Sequence, residues 1–191
     1  MGKVIVSKSM SLDGFVAGPN ISVDAPMGDG GLRLHEWFLN APAGSENAEM
    51  MRESSAAIGA VVLGKRTFDI GVGLWGDTPF PVPTFVLTHH AHADRVEKSG
   101  TFVFVTDGIA SALAKAQAAA GDRNIVLMGA ETSNQYLKAG LVDEIHVTVI
   151  PVLLGRGARL FEGIGAEPVE LAYTMAKESG GVTHLRLRVV R

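Results

Sequence analysis

A chain of 191 residues suits one large domain, which can bury roughly 70% of its unfolded surface without disulfide or metal staples. With 47% hydrophobic and 19% charged residues it is neither a disordered tail nor a coiled coil. The net charge of −3 argues against a general nucleic-acid or membrane-surface binder, which needs a basic face, and the lack of cysteine excludes disulfides and thiolate chemistry.

From the N-terminus, Met1-Gly2-Lys3 runs straight into Val4-Ile5-Val6, a strand segment too brief for a secretory apolar region. Val6 stands where a myristoylation motif requires Ser or Thr, and no apolar run has the length to span a bilayer. A cytoplasmic protein with a small-molecule partner is predicted. Ser11-Leu12-Asp13-Gly14 makes a turn, and 19–44 is a long Gly-, Pro- and Asn-rich loop whose one apolar island is His35-Glu36-Trp37-Phe38. Such a loop is either a binding lid or a surface insertion anchored by Trp37.

Ser45 can cap a helix with Glu46 and Glu49 in its first turn, and Ala48, Met51, Ser55 and Ile58 recur at helical spacing as a sheet-covering stripe. Ala60–Leu63 reads as a buried strand ending at Gly64, with Lys65-Arg66-Thr67-Phe68 opening a helix. Strands follow at Pro83–Thr88 and Phe102–Val105, and Asp107 caps a helix carrying Ile109, Leu113, Ala116 and Ala120 on one side.

The stretch Asn124 to Phe161 holds the central unit. Ile125–Met128 is an apolar strand, Gly129-Ala130 a sharp turn, and Thr132 and Ser133 are hydroxyls able to cap a helix that Gly140 stops. A strand feeding a helix through a small-residue turn leaves backbone N–H groups facing solvent, which suits a phosphate; a tight connection alone is the other reading. Val169–Met175 and Val182–Val190 alternate strictly around Gly180-Gly181 as a terminal antiparallel hairpin. The sum is an α/β domain with a mostly parallel sheet and antiparallel C-terminal strands. Gly64, Thr88 and Gly129 all fall at strand carboxyl ends, where such sheets bind ligands.

Gly64-Lys65-Arg66-Thr67 supplies a flexible turn, two cations and a hydroxyl at a helix start, the chemistry a phosphate needs, although a solvated basic turn has the same letters. It lacks the Walker spacing. Gly71-Val72-Gly73-Leu74-Trp75-Gly76 matches the dinucleotide fingerprint but follows a helix rather than a strand, and Pro79, Pro81 and Pro83 forbid the crossover helix. It reads as a loop whose Trp75 packs inward or lines a pocket. His89, His90 and His92 lack a matching carboxylate or cysteine set, so a polar loop is preferred over a metal site. Asp13 is either an acid reaching substrate or an Asx-turn residue.

Met128-Gly129-Ala130, Tyr136-Leu137, Leu141-Val142-Asp143-Glu144, Pro151 to Gly157 and Leu160-Phe161, with Ser11 to Gly14 and Gly64 to Thr67, resemble the C-terminal reductase domain of riboflavin-biosynthesis deaminase-reductases. The resemblance covers nearly the whole chain. It implies a dihydrofolate-reductase-like, three-layer α/β/α fold and NADPH as cofactor. It places Gly64, Lys65, Arg66 and Thr67 on the adenosine phosphates, with Arg66, Thr88 and His89 toward the 2′-phosphate. Gly129, Ala130, Glu131 and Thr132 form the second phosphate turn, and Ser9 and Val16 flank the nicotinamide. It further implies hydride transfer to a small heterocyclic C=N or C=O substrate in a pocket shaped by Phe15, Trp37 and Trp75, with Asp13 assisting protonation, and a homodimer. A nucleotide-binding module of the same fold that turns nothing over is the alternative. Where Ala130 stands the resembled families have a second glycine, and a cis Gly129–Ala130 bond is expected from their pattern. The chain shows no zinc-deaminase motif, so the preceding deamination is not expected of it.

Overall fold

The computed structural model describes residues 2–191, so the expectation resting on Met1 lies outside the described residues. In chain order the elements are β1 (Val4–Ser11), β2 (Phe15–Ala17), a 3₁₀ turn (Gly31–His35), α1 (Glu36–Leu39), α2 (Glu46–Ala56), β3 (Ile58–Gly64), α3 (Lys65–Trp75) and β4 (Thr84–Leu87). They continue with β5 (Arg95–Val96), β6 (Thr101–Val105), α4 (Gly108–Ala120), β7 (Asn124–Met128), α5 (Ala130–Lys138), β8 (Glu144–Ile150), β9 (Ala158–Arg159), β10 (Leu171–Ser179) and β11 (Val182–Val189).

The main sheet runs β10-β11-β8-β1-β7-β3-β4-β6-β5. β1 pairs in parallel with both β7 and β8, and β3 with both β4 and β7, while β11 runs antiparallel to β8 and β10. The α/β class and the antiparallel C-terminal strands predicted from the pattern are what the chain forms. β2 and β9 make a separate two-stranded ribbon.

The central strands are apolar throughout because both their faces are covered. Ala60 and Val62 of β3 face a core built with Ala112, Leu113 and Ala116 of α4 and Tyr136 and Leu137 of α5. Val61 and Leu63 point the other way, onto Phe68 of α3 with Val86, Phe102 and Val126. That alternation gives the three layers. No helix among the described residues is long and apolar enough to cross a membrane.

Several local expectations need correction. β1 extends to Ser11 because its polar second half pairs with β8 from Ser7↔His146 through Ser11↔Ile150. The 19–44 loop contains the 3₁₀ turn and α1. Ser45 caps α2 by accepting from the Ala48 N–H at 3.3 Å, yet α2 is not a sheet-covering helix, since Asn47 is its one buried residue and Ile58 belongs to β3. A stripe of Ala48, Met51 and Ser55 carries too little apolar area to hold a helix down on a sheet. Gly71 and Gly73 are helical, inside α3, and the Trp75 ring folds back so closely that a Cβ on Gly71 would meet it at 2.3 Å. Thr132 and Ser133 lie within the first turns of α5 rather than ahead of it, and Ser133 Oγ donates to the Gly129 carbonyl at 2.8 Å.

Tyr136 ties the layers together. Its side chain is wholly buried and its hydroxyl donates to the Ile109 carbonyl of α4 at 2.7 Å. Tyr136→Phe should lower unfolding free energy by about 1–2 kcal/mol, and Leu127→Ala by about 2–5 kcal/mol, both read by urea denaturation.

Candidate functional site: a crevice at the strand carboxyl ends

β3 and β7 are neighbours, with Leu63 opposite Met128, and each ends in a glycine that turns directly into a helix. Gly129 has φ +84°, and a Cβ there would lie 2.6 Å from Thr67 Oγ1 of the other helix start. A Cβ on Gly64 would in turn lie 3.0 Å from Thr132 Oγ1. The N-termini of α3 and α5 therefore converge. Neither cap carries a side-chain hydrogen bond, so the first-turn N–H groups of both helices have no capping partner and two positive dipole ends face one place. Asn134 of α5 adds a buried Oδ1 with no partner among the described residues.

Cations sit beside this cradle. Lys65 Nζ is engaged with Asp69 at 2.6 Å, whereas Arg66 is exposed and makes no ion pair among the described residues. Thr88, at the end of β4, closes a tight turn in which its Oγ1 accepts from the His90 N–H at 3.2 Å, leaving His89 and His90 exposed beside it. His92 instead packs on Phe104 at 4.9 Å, and no group of three or more His, Asp or Glu among the described residues could hold a metal ion.

These residues line one end of a cavity of about 1600 Å³ that continues along the sheet past β1, β8 and β11. Ser9, Val16, Gly64, Lys65, Arg66, Thr67, Thr88, His89, Gly129, Ala130, Glu131, Thr132, Trp37 and Trp75 all line it, so the predicted set converges apart from Asp13 and Phe15. Trp75 stacks on Phe102 at 6.5 Å. Trp37 donates through Nε1 to Ser9 Oγ at 2.8 Å and meets the edge of His184 at 5.0 Å.

His184 shows why that far wall is fixed. Its Nε2 lies 3.0 Å from Asn47 Oδ1 of α2, and its Nδ1 lies 3.0 Å from Thr148 Oγ1 of β8. With Asn47 Oδ1 as acceptor, Nε2 carries a hydrogen, and in the neutral ring Nδ1 accepts from the Thr148 hydroxyl. Burial, with Arg186 adding its charge, holds His184 below the ordinary histidine value, which agrees with that tautomer. This bridge ties α2 to β11 and β8, alongside the ion pair of Glu46 with Lys177 of β10. Sequence reasoning passed over His184, Asn47 and Thr148, and with them Lys8 and His35, which also line the cavity. The available signal was a lysine interrupting an apolar strand and a histidine alternating opposite Leu185 and Leu187.

Asp13 is placed away from the lining. Its carboxylate accepts from Ser11 Oγ at 2.6 Å, Gly155 N–H at 2.7 Å and Leu154 N–H at 3.1 Å. The Ser11 hydroxyl first, then the two amides, outweigh burial and hold its carboxyl down to about 2. It is a turn residue that pins the 151–157 loop, and it carries no proton to give at neutral pH. Phe15 is buried under the Arg159 guanidinium at 4.5 Å and belongs to the core. The Gly129–Ala130 bond is trans, contrary to the pattern-based expectation, since the left-handed φ of Gly129 makes the turn by itself.

Two glycine turns at neighbouring strand ends, opening into a second polar compartment, give an α/β domain with one long cavity at the carboxyl ends of its parallel strands. The RibD C-terminal domain family matches residues 2–185, and the chain belongs to that family. Two Bacillus subtilis (strain 168) proteins described as uncharacterized are similar. YwjB is 25% identical over 166 residues, 86% of each chain, and YyaP is 25% identical over 171 residues, 83% of this chain and 80% of its own. Among solved structures, a putative riboflavin biosynthesis protein from Shewanella sp. PV-4 superposes with a TM-score of 0.75 at 22% identity, covering 99% of both chains. A pyrimidine reductase-like protein from Corynebacterium diphtheriae gives 0.66 at 15%, over 100% of this chain and 92% of its own. The diaminohydroxyphosphoribosylaminopyrimidine deaminase/5-amino-6-(5-phosphoribosylamino)uracil reductase of Thermotoga maritima gives 0.66 at 14%, over 99% of this chain but 57% of its own. These likenesses show a shared fold, and the family is one of reductase-like domains.

Two outcomes test this geometry. Gly129→Ala places a methyl against Thr67 in a backbone conformation that alanine resists, so it should lower the melting temperature, and pairing it with Thr67→Ala should recover part of the loss. For Asp13, the folded-state pKa lies below the ordinary 3.8, so its stabilisation is present above about pH 4 and fades as pH falls toward 2. Asp13→Asn should therefore melt lower than wild type at pH 7, with the gap shrinking progressively below pH 4.

Proposed function

We propose that this protein is an NADPH-dependent reductase acting on a small heterocyclic substrate, pyrimidine- or pteridine-like, at a C=N or C=O bond. The observation that carries this reading is the meeting of the α3 and α5 N-termini at one end of a cavity whose other end is polar and aromatic. A cavity of about 1600 Å³ exceeds what a drug-sized ligand fills and suits a dinucleotide with a substrate beside it. The names of the Corynebacterium and Thermotoga neighbours, a pyrimidine reductase-like protein and a 5-amino-6-(5-phosphoribosylamino)uracil reductase, support the substrate class.

The residues present fit the cofactor. The uncapped first turns of α3 and α5 offer N–H donors to a pyrophosphate, and Asn134 Oδ1 is a buried acceptor lacking a donor among the described residues. Arg66, exposed and without an ion pair among the described residues, is the cation for a 2′-phosphate, with Thr88 and His89 beside it, so NADPH is favoured over NADH. Bound NADPH would supply hydride; the protein's part is to hold the ring and substrate together and to keep bulk water out. Ser9 and Val16, at the end of β1 and in β2, flank the nicotinamide position in this reading, and Trp37 and Trp75 wall the cavity. A homodimer is part of the proposal, with the open edge of β10 and the exposed Tyr173 as its natural contact.

One observation favours a second reading. The complete engagement of Asp13 removes the carboxylate first expected to serve protonation, as in a nucleotide-binding module that turns nothing over. Titrating the protein with NADPH and NADH while following Trp37 and Trp75 fluorescence tests the shared claim. NADPH should bind at least about tenfold tighter than NADH, and Arg66→Ala should weaken NADPH about tenfold. Binding of neither cofactor would contradict both readings; binding without NADPH oxidation across a panel of pteridines and pyrimidines would select the module.

A further inference from the structure

Resting on the reductase reading, we propose that Lys8 is the proton donor of this site, delivering the proton that accompanies hydride transfer. β1 and β7 pair only from Val4↔Ile125 to Val6↔Leu127, after which the two strands part. Lys8 sits in that parting. Its Nζ donates to the Leu127 carbonyl at 2.5 Å and to the Ser7 carbonyl at 3.1 Å, one residue before Ser9 and two before the Gly129 turn on the opposite strand. Both acceptors are neutral carbonyls. No carboxylate pairs with it among the described residues, and Lys8 lines the cavity.

Of the other titratable groups, Glu53, Glu162, Arg159 and Arg186 also line the cavity, and Asp13 lies outside its lining. Asp13 is ionised and tied to three donors. Both nitrogens of His184 are bonded, and His146 Nε2 is held by Glu144 at 2.9 Å. His35, on the 3₁₀ turn, lines the same compartment, and burial first, with the charge of Lys8 adding to it, keeps His35 below the ordinary histidine value against the opposing pull of the Gly31 backbone. Lys8 itself is pushed down by burial to about 7, so near neutral pH it both holds a proton and releases it readily.

The balance closes. With NADPH as reductant, the substrate carbon gains a C–H bond, the C=N or C=O becomes a single bond, and its heteroatom takes the proton from Lys8 Nζ. The nicotinamide is left oxidised, and the neutral amine regains a proton from solvent.

The test reads Lys8 directly in the whole protein. Lysine labelled with ¹³C at Cε is incorporated, and the Lys8 signal is the one absent from the Lys8→Arg spectrum, or from Lys8→Gln should Arg not fold. Its titration midpoint is measured in the NADP⁺ and the NADPH complexes, which differ by one positive charge on the ring. The proposal expects a midpoint near neutral and a value roughly one unit lower in the NADP⁺ complex, because a cation in contact disfavours the ammonium. A midpoint at the ordinary lysine value, or one identical in the two complexes, overturns the role of Lys8 while cofactor binding stands. Failure of either cofactor to quench tryptophan fluorescence overturns the reductase reading itself, and the proton donor with it.

Discussion

The approach of Gly129 to Thr67, with its counterpart between Gly64 and Thr132, is the constraint on which the site depends. Two adjacent parallel strands end at the same level and each turns into a helix with one glycine. Any side chain at Gly129 would push the helix starts apart, and the donors they present would no longer address a single ligand. The close approach exists because β3 and β7 are neighbours in the sheet, which in turn follows from their shared apolar register, Ala60↔Ile125 through Leu63↔Met128. Core packing and phosphate geometry are thus one arrangement seen from two sides.

The second compartment has a different origin. Here the sheet is not covered by an apolar helix face. α2 stands off the sheet, fastened by Asn47 to His184 and through it to Thr148, while Trp37 bonds Ser9 and leans on the same imidazole. A buried neutral histidine with both nitrogens satisfied is a rigid spacer, since losing either partner strands a polar atom. The space it props open is lined by side chains of β1, β8 and β11. Lys8 lies between this space and the cradle, at the point where β1 leaves β7.

Much of the fold was legible because apolar runs such as Ile125–Met128 and Ala60–Leu63 have one physical explanation, burial on both faces, and their terminal glycines marked the turns. Family likeness added the proposed cofactor end, where backbone N–H groups rather than side chains would do the binding and a short motif suffices. The far compartment was illegible for a stated reason. Its walls depend on pairings between residues more than a hundred positions apart, such as Asn47 with His184, and nothing in the local pattern of α2 shows that its stripe faces a cavity. Asp13 shows the opposite error: its two amide partners, Leu154 and Gly155, are also distant in sequence, and without them an Asp-Gly turn reads equally as chemistry or as structure. The trans bond at Gly129–Ala130 shows that a pattern carried over from a family need not transfer with one altered residue.

The account's central claim, that two helix starts jointly hold the cofactor phosphates, is tested most directly by backbone amide ¹⁵N–¹H shifts recorded while NADPH is added. The prediction is that the largest changes fall together on Lys65–Thr67 and Ala130–Thr132, saturating at one common concentration. Changes at only one of the two turns, or changes confined to β10 and β11, would contradict it.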